Sequence, residues 1–187
     1  MPKEIAAMRS HEEILAFWFG ELTIEQCFKA TPELDDVIRS RFSETHLALA
    51  KGVGDEWRVS PETRLAAIIV IDQFPRNIYR GTAHAFATDG LALREARLAM
   101  AAGADSALAP TQRMFLYMPF QHSESLADQD RSAALFSDLG IDEATSYAER
   151  HRTVIREFGR FPHRNVALGR ESTPAELEYL AMPGAGF

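Results

Sequence analysis

The chain has 187 residues, 46% of them hydrophobic, enough to bury one sizeable core, so a single domain over 1–187 is expected. Its net charge of −7 and pI of about 5.4 argue against an overall attraction to nucleic acid or to an anionic membrane. Cys27 is the one cysteine, which excludes an internal disulfide and fits a reducing compartment.

The predicted elements are helices throughout. Capping boxes at Ser10-His11-Glu12-Glu13 and Thr23-Ile24-Glu25-Gln26 open helices near 11–19 and 24–29. Thr31-Pro32 and Ser60-Pro61 pair an N-cap hydroxyl with proline at the first helical position, opening helices near 32–50 and 61–73. In the first of these, Leu34, Val37, Ile38, Phe42, Thr45 and Leu49 form one stripe, with Gly52 as C-cap. The strand-like run Ala67 to Ile71 lies inside the second and reads as buried helix. Further helices are expected near 88–102, 111–121, 124–138 and 143–158, the last with an apolar stripe through His151 and a stop at Gly159. Ser125 has capping-box spacing to Asp128, and a capping box at Thr173-Pro174-Ala175-Glu176 starts a final helix near 174–181. About nine helices on short connections imply an all-α array of antiparallel pairs. No run reaches the roughly 18 apolar residues of a bilayer span, and Met1 to Arg9 lacks the apolar stretch of a secretory leader. A soluble, cytoplasmic protein with no membrane or nucleic-acid partner is expected.

Phe-Pro-Arg-Asn occurs twice, as Phe74-Pro75-Arg76-Asn77 and, with one residue inserted, as Phe161-Pro162-His163-Arg164-Asn165. Each copy follows an apolar helix, and Arg80 and Arg170 trail them. A third polar cluster, Gln121-His122-Ser123-Glu124, ends another apolar helix between them. From Arg150 to Arg170 there are six arginines against one acid, Glu157, in a chain that is acidic as a whole. A guanidinium fork suits bidentate recognition of carboxylate or phosphate, so one reading gathers Arg76, Asn77, Arg80, His122, Glu124, Arg160, His163, Arg164, Asn165 and Arg170 around an anionic small molecule or an acidic peptide. The competing reading is architectural. Proline forces the preceding phenylalanine out of the helix, arginine complements a helix C-terminus, and Asp72, Glu124 and Asp128 neutralise the arginines internally.

Catalysis by His122-Ser123-Glu124 is disfavoured because adjacent residues do not converge as nucleophile, base and orienter, and no Gly-x-Ser-x-Gly elbow is present. Metal spacing is also absent; His122, His163 and Glu124 are the one trio left for the fold to bring together. With no phosphate-binding loop or dinucleotide fingerprint, no cofactor is implied. The catalytic alternative is a metal-independent hydrolase or transferase on an anionic substrate, with His122 or His163 as acid or base.

The strings Leu15-Ala16-Phe17-Trp18-Phe19-Gly20, Asp72-Gln73-Phe74-Pro75-Arg76-Asn77, Tyr117-Met118-Pro119-Phe120-Gln121-His122-Ser123-Glu124 and Phe158-Gly159-Arg160-Phe161-Pro162-His163-Arg164-Asn165, with Leu168-Gly169-Arg170-Glu171-Ser172-Thr173, resemble a bacterial family known as domain of unknown function 924. The resemblance runs in order along nearly the whole chain. It implies an all-helical, tetratricopeptide-like fold and supplies no reaction, ligand or catalytic residues.

Overall fold

The computed structural model describes residues 8–186, so the leader reading at Met1 to Arg9 falls mostly outside the described residues. Those residues contain helices and turns and no β-strand. Ten α-helices follow in order: α1 His11–Ala16, α2 Ile24–Phe28, α3 Pro32–Ala50, α4 Pro61–Ile68, α5 Phe74–Ile78, α6 Asp89–Ala101, α7 Pro110–Gln121, α8 Leu126–Leu139, α9 Asp142–Phe158 and α10 Pro174–Leu180. The N-cap side chains of Ser10, Thr23, Thr31, Ser60 and Thr173 each accept a first-turn backbone N–H as expected. Ser125 differs: it makes no side-chain cap, and the Ser123 hydroxyl instead accepts its N–H and donates to Asp128 at 2.8 Å.

The largest departure from expectation is at the first Phe-Pro-Arg-Asn copy, which does not stop its helix. Helical backbone runs through 61–78, because α4 passes into a π-helical segment, Ile69–Gln73, that leads straight into α5. Phe74 keeps helical angles (φ −59°, ψ −37°) despite preceding proline. A π-turn shifts the hydrogen-bond register, and together with the missing N–H of Pro75 it frees carbonyls of the preceding turn. Side chains satisfy them: His46 Nδ1–H donates to the Val70 carbonyl at 3.1 Å and the Thr88 hydroxyl to that of Ile71 at 2.5 Å. The second copy behaves as a stop. Gly159 closes α9 in the left-handed region at φ 69°, where a side chain would be strained, and Phe161 is extended at ψ 106°.

The core centres on α4 and the π-segment, whose residues 65–71 are all solvent-inaccessible or nearly so. Phe17, Trp18, Phe42, Phe74 and Phe115 pack around them, with Trp18 edge-on to Phe74 and Phe115. Each such aromatic contributes roughly 1.5–3 kcal/mol through burial. A smaller cluster, Val154, Ile155 and Phe161 with Phe158 and Tyr179, holds the segment after α9 against α10. That segment carries the second Phe-Pro-Arg-Asn copy back toward α5 and α7. His151 is the core histidine its stripe implies, buried with Nδ1–H donating to the Tyr147 carbonyl at 2.8 Å.

Candidate functional site

Three chain segments meet where α5, the start of α6 and the end of α7 come together. Arg76 on α5 lies one helical turn after Asp72, which is wholly buried in the π-segment. Asp89 opens α6; its Oδ1 accepts from Arg76 Nη2 at 2.9 Å and its Oδ2 from Arg164 Nη1 at 3.0 Å. Arg164 arrives on the short 3-10 turn Pro162–Arg164, is nearly buried, and has its guanidinium 4.6 Å from the Phe86 ring and 4.5 Å from the Phe161 ring. Its Nη2 also donates to the His122 carbonyl at the end of α7, at 3.1 Å. Burial and the neighbouring Arg76 charge hold the Arg164 pKa down to about 10, still protonated at neutral pH.

His122 completes the centre, with Nδ1 2.8 Å from Asp72 Oδ1. Burial opposes the Asp72 charge, but the contacts with His122 and Arg76 prevail and keep its carboxyl well below the usual carboxylate range. Burial, reinforced by Arg76, pushes the His122 pKa below its ordinary value. The pair is therefore an ionised carboxylate accepting Nδ1–H from a neutral imidazole at pH 7, which leaves Nε2 with its lone pair. The ring borders a cleft of about 230 Å3. Asp89, Gly90 and Leu93 of α6 form one wall, Pro119 and His122 of α7 the other, and Ser123, Glu124 and Arg164 close it.

The remaining expected residues divide into neighbours and outsiders. Glu124 borders the cleft and is clamped by Arg170 through two bonds of 2.8 and 2.9 Å, while its Oε1 also accepts the Phe161 N–H at 2.8 Å. Burial works against the Glu124 charge, and Arg170 with the Phe161 N–H outweighs it, so its pKa is lowered. Asn165 accepts from Arg170 Nε at 2.9 Å and donates to Ser172, so it acts behind the cleft. Arg160 pairs with Glu176 at 2.6 and 2.8 Å, one layer further out. His163 packs on Phe161 at 5.5 Å and lies outside the cleft lining. Asn77 and Arg80 form a different cluster, both donating to Asp35 of α3 at 2.6–2.8 Å. The two motif copies thus share a centre through Arg76 and Arg164 alone.

The catalytic trio does not form, since His122 turns to Asp72, Ser123 to Asp128 and Glu124 to Arg170. Among the described residues no group of three or more His, Cys, Asp or Glu side chains is arranged to hold a metal, so His122, His163 and Glu124 do not form a centre. No described helix is long and apolar enough to cross a membrane. Asp89 and Gly90 escaped the sequence reading. Thr88-Asp89-Gly90 looks like an ordinary helix start, and only the fold shows that the Thr88 hydroxyl is spent on Ile71 and that Asp89 faces two arginines.

An all-helical chain in which repeated Phe-Pro-Arg-Asn segments are tied through the carboxylate of Asp89 defines the class of protein. A family model described as bacterial protein of unknown function (DUF924) matches residues 14–184, and the chain belongs to that family. The chain is also similar to a solved structure, the protein of unknown function ATU0120 from Agrobacterium tumefaciens. Identity is 40% and the TM-score 0.87, with 91% of this chain and 96% of that chain covered. Among curated proteins there is no match.

Proposed function

We propose that the protein is a soluble, cytoplasmic, single-domain binding module whose cleft beside Arg164 and His122 takes a small molecule carrying an anionic group. The observation that carries this reading is the sharing of one carboxylate, Asp89, by two neighbouring guanidinium groups, Arg76 and Arg164, of which Arg164 lines an open cleft together with Asp89. Burial above all, with repulsion from Arg76 adding to it, lowers the Arg164 pKa, and an anion entering the cleft offsets both. The cleft adjoins the first turn of α6, the positive end of a 13-residue helix, with glycine at its second position leaving room for close approach. Its volume of about 230 Å3 suits a small molecule better than an acidic peptide. A tetratricopeptide-like pairing of antiparallel helices is supported by the close packing of α7 on α8 and of α8 on α9, neighbours in sequence joined by short connections.

A melting screen at fixed ionic strength tests the reading. Phosphate, sulfate, L-malate and citrate should raise the melting temperature; equal shifts from neutral and cationic compounds would sink it. A second reading, a metal-independent hydrolase or transferase on an anionic substrate, is favoured by the Asp72–His122 pair, which has the orientation of a general base. Turnover of an activated ester or phosphoester that persists in His122→Asn would exclude His122 as that base.

A further inference from the structure

The hydrogen-bonding groups around the cleft differ in how far the protein already uses them. Both Asp89 oxygens receive arginine N–H groups, and both Glu124 oxygens receive Arg170, with the Phe161 N–H in addition. The Ser123 hydroxyl donates to Asp128 and accepts the Ser125 N–H. His122 is different, because only Nδ1 is engaged, by Asp72. That bond fixes the tautomer: Asp72 has no proton to give, so Nδ1 carries the hydrogen and Nε2 is left as an acceptor on a residue that lines the cleft. Arg164 stands one hydrogen bond from the same residue, through Nη2 to the His122 carbonyl at 3.1 Å. An anion-binding donor and an unused acceptor are therefore held side by side.

We propose that the ligand of this cleft is an acid bearing a hydrogen-bond donor next to its anionic group, a hydroxy acid or an amino acid, whose acid group faces Arg164 and whose hydroxyl or ammonium donates to Nε2 of His122. The inference rests on the anion-binding reading above and narrows it. A simple acid of the same length leaves Nε2 desolvated without a partner, and such unpaired buried groups are what lets a polar site reject a close analogue.

Succinate, L-malate and L-aspartate share a four-carbon diacid and differ in one substituent, so calorimetric titration of the intact protein with each decides the matter. Malate, aspartate or both should bind on the order of tenfold or more tighter than succinate, the ratio set by one hydrogen bond. Which one gains distinguishes a hydroxyl from an ammonium donor. In His122→Asn, whose amide retains a donor toward Asp72 and removes the Nε2 acceptor, malate and succinate should bind alike. Should that variant fail to fold, the imidazole 15N shifts of the wild type supply the second readout, with Nε2 unprotonated when free and perturbed by malate more than by succinate. Equal binding of all three probes to the wild type overturns the donor requirement and leaves the anion reading standing. Absence of binding by all three overturns both.

Discussion

Arg76 and Arg164, 88 positions apart in sequence, are tied together by the carboxylate of Asp89, which accepts from one at 2.9 Å and from the other at 3.0 Å. The bridge joins the two Phe-Pro-Arg-Asn segments and faces little solvent, Asp89 being 18% exposed and Arg164 only 7%. Asp89→Asn leaves the nearly buried Arg164 without a carboxylate and Arg76 with Asp72 alone, and should cost roughly 3–5 kcal/mol, the range for breaking a buried pair. At the exposed Arg39–Asp36 pair, Asp36→Asn should cost under about 1 kcal/mol. Urea unfolding of both variants makes the comparison, and equal losses would show that the bridge does not hold the fold.

The helix that continues through Pro75 leads to a second pair of expectations. Proline in a helix interior ordinarily costs about 3 kcal/mol, but here the π-turn and the Thr88 hydroxyl already absorb the missing N–H. Pro75→Ala should change stability by less than about 1 kcal/mol. Thr88→Val leaves the Ile71 carbonyl buried without its hydroxyl donor and should cost roughly 1–3 kcal/mol. A large gain in Pro75→Ala, measured by the same unfolding, would mean that the segment is strained rather than accommodated.

These residues also show what the sequence makes legible. A helix start is a local device, and all five hydroxyl caps read from Ser10, Thr23, Thr31, Ser60 and Thr173 are made within three residues. The continuation past Gln73 is not local, since it depends on His46 and Thr88, which stand 24 and 17 residues from the carbonyls they take. The site divides in the same way. Asp72 and Glu124 are recognisable as neutralising acids because they sit inside the polar clusters. Asp89 and Asp35 come from α6 and α3, and nothing in their spacing points to the arginines they bind, Asp35 standing four residues before Arg39 but bonding Arg80. Arg76 and Arg80 are four residues apart, yet they bond different carboxylates, Asp89 and Asp35, so a shared motif did not mean a shared site.

Buried histidines set the acid limit of the fold. Burial above all, with nearby positive charge adding to it, lowers the pKa of His151 to about 3 and of His163 to about 4, from an ordinary 6.5. Below pH 6.5 the unfolded chain takes up protons that the folded protein refuses. The stability these groups contribute is therefore complete above about pH 6.5 and is lost as pH falls toward 4 and then 3. The slope is at most about 1.4 kcal/mol per pH unit for each histidine. Unfolding free energies measured between pH 7 and 4 should show this decline, and His151→Gln, neutral throughout, should remove its share. A flat profile above pH 5 would contradict the assignment.

Gly90 allows the cleft to be closed without touching the charge network. A β-carbon placed on it meets nothing within 4 Å, it lies in the first turn of α6, and it lines the cleft directly. Gly90→Leu fills that space, and because leucine is the better helix former the variant should fold at least as stably, by up to about 1 kcal/mol. The most direct measurement is the shift in melting temperature of wild type and Gly90→Leu with saturating L-malate at fixed ionic strength; a ligand at a hundred times its dissociation constant stabilises by about 2.7 kcal/mol. A clear upward shift in the wild type that disappears in the folded variant is the predicted result, and equal shifts in the two proteins, or no shift in the wild type, would contradict the placement of an acid-binding site in this cleft.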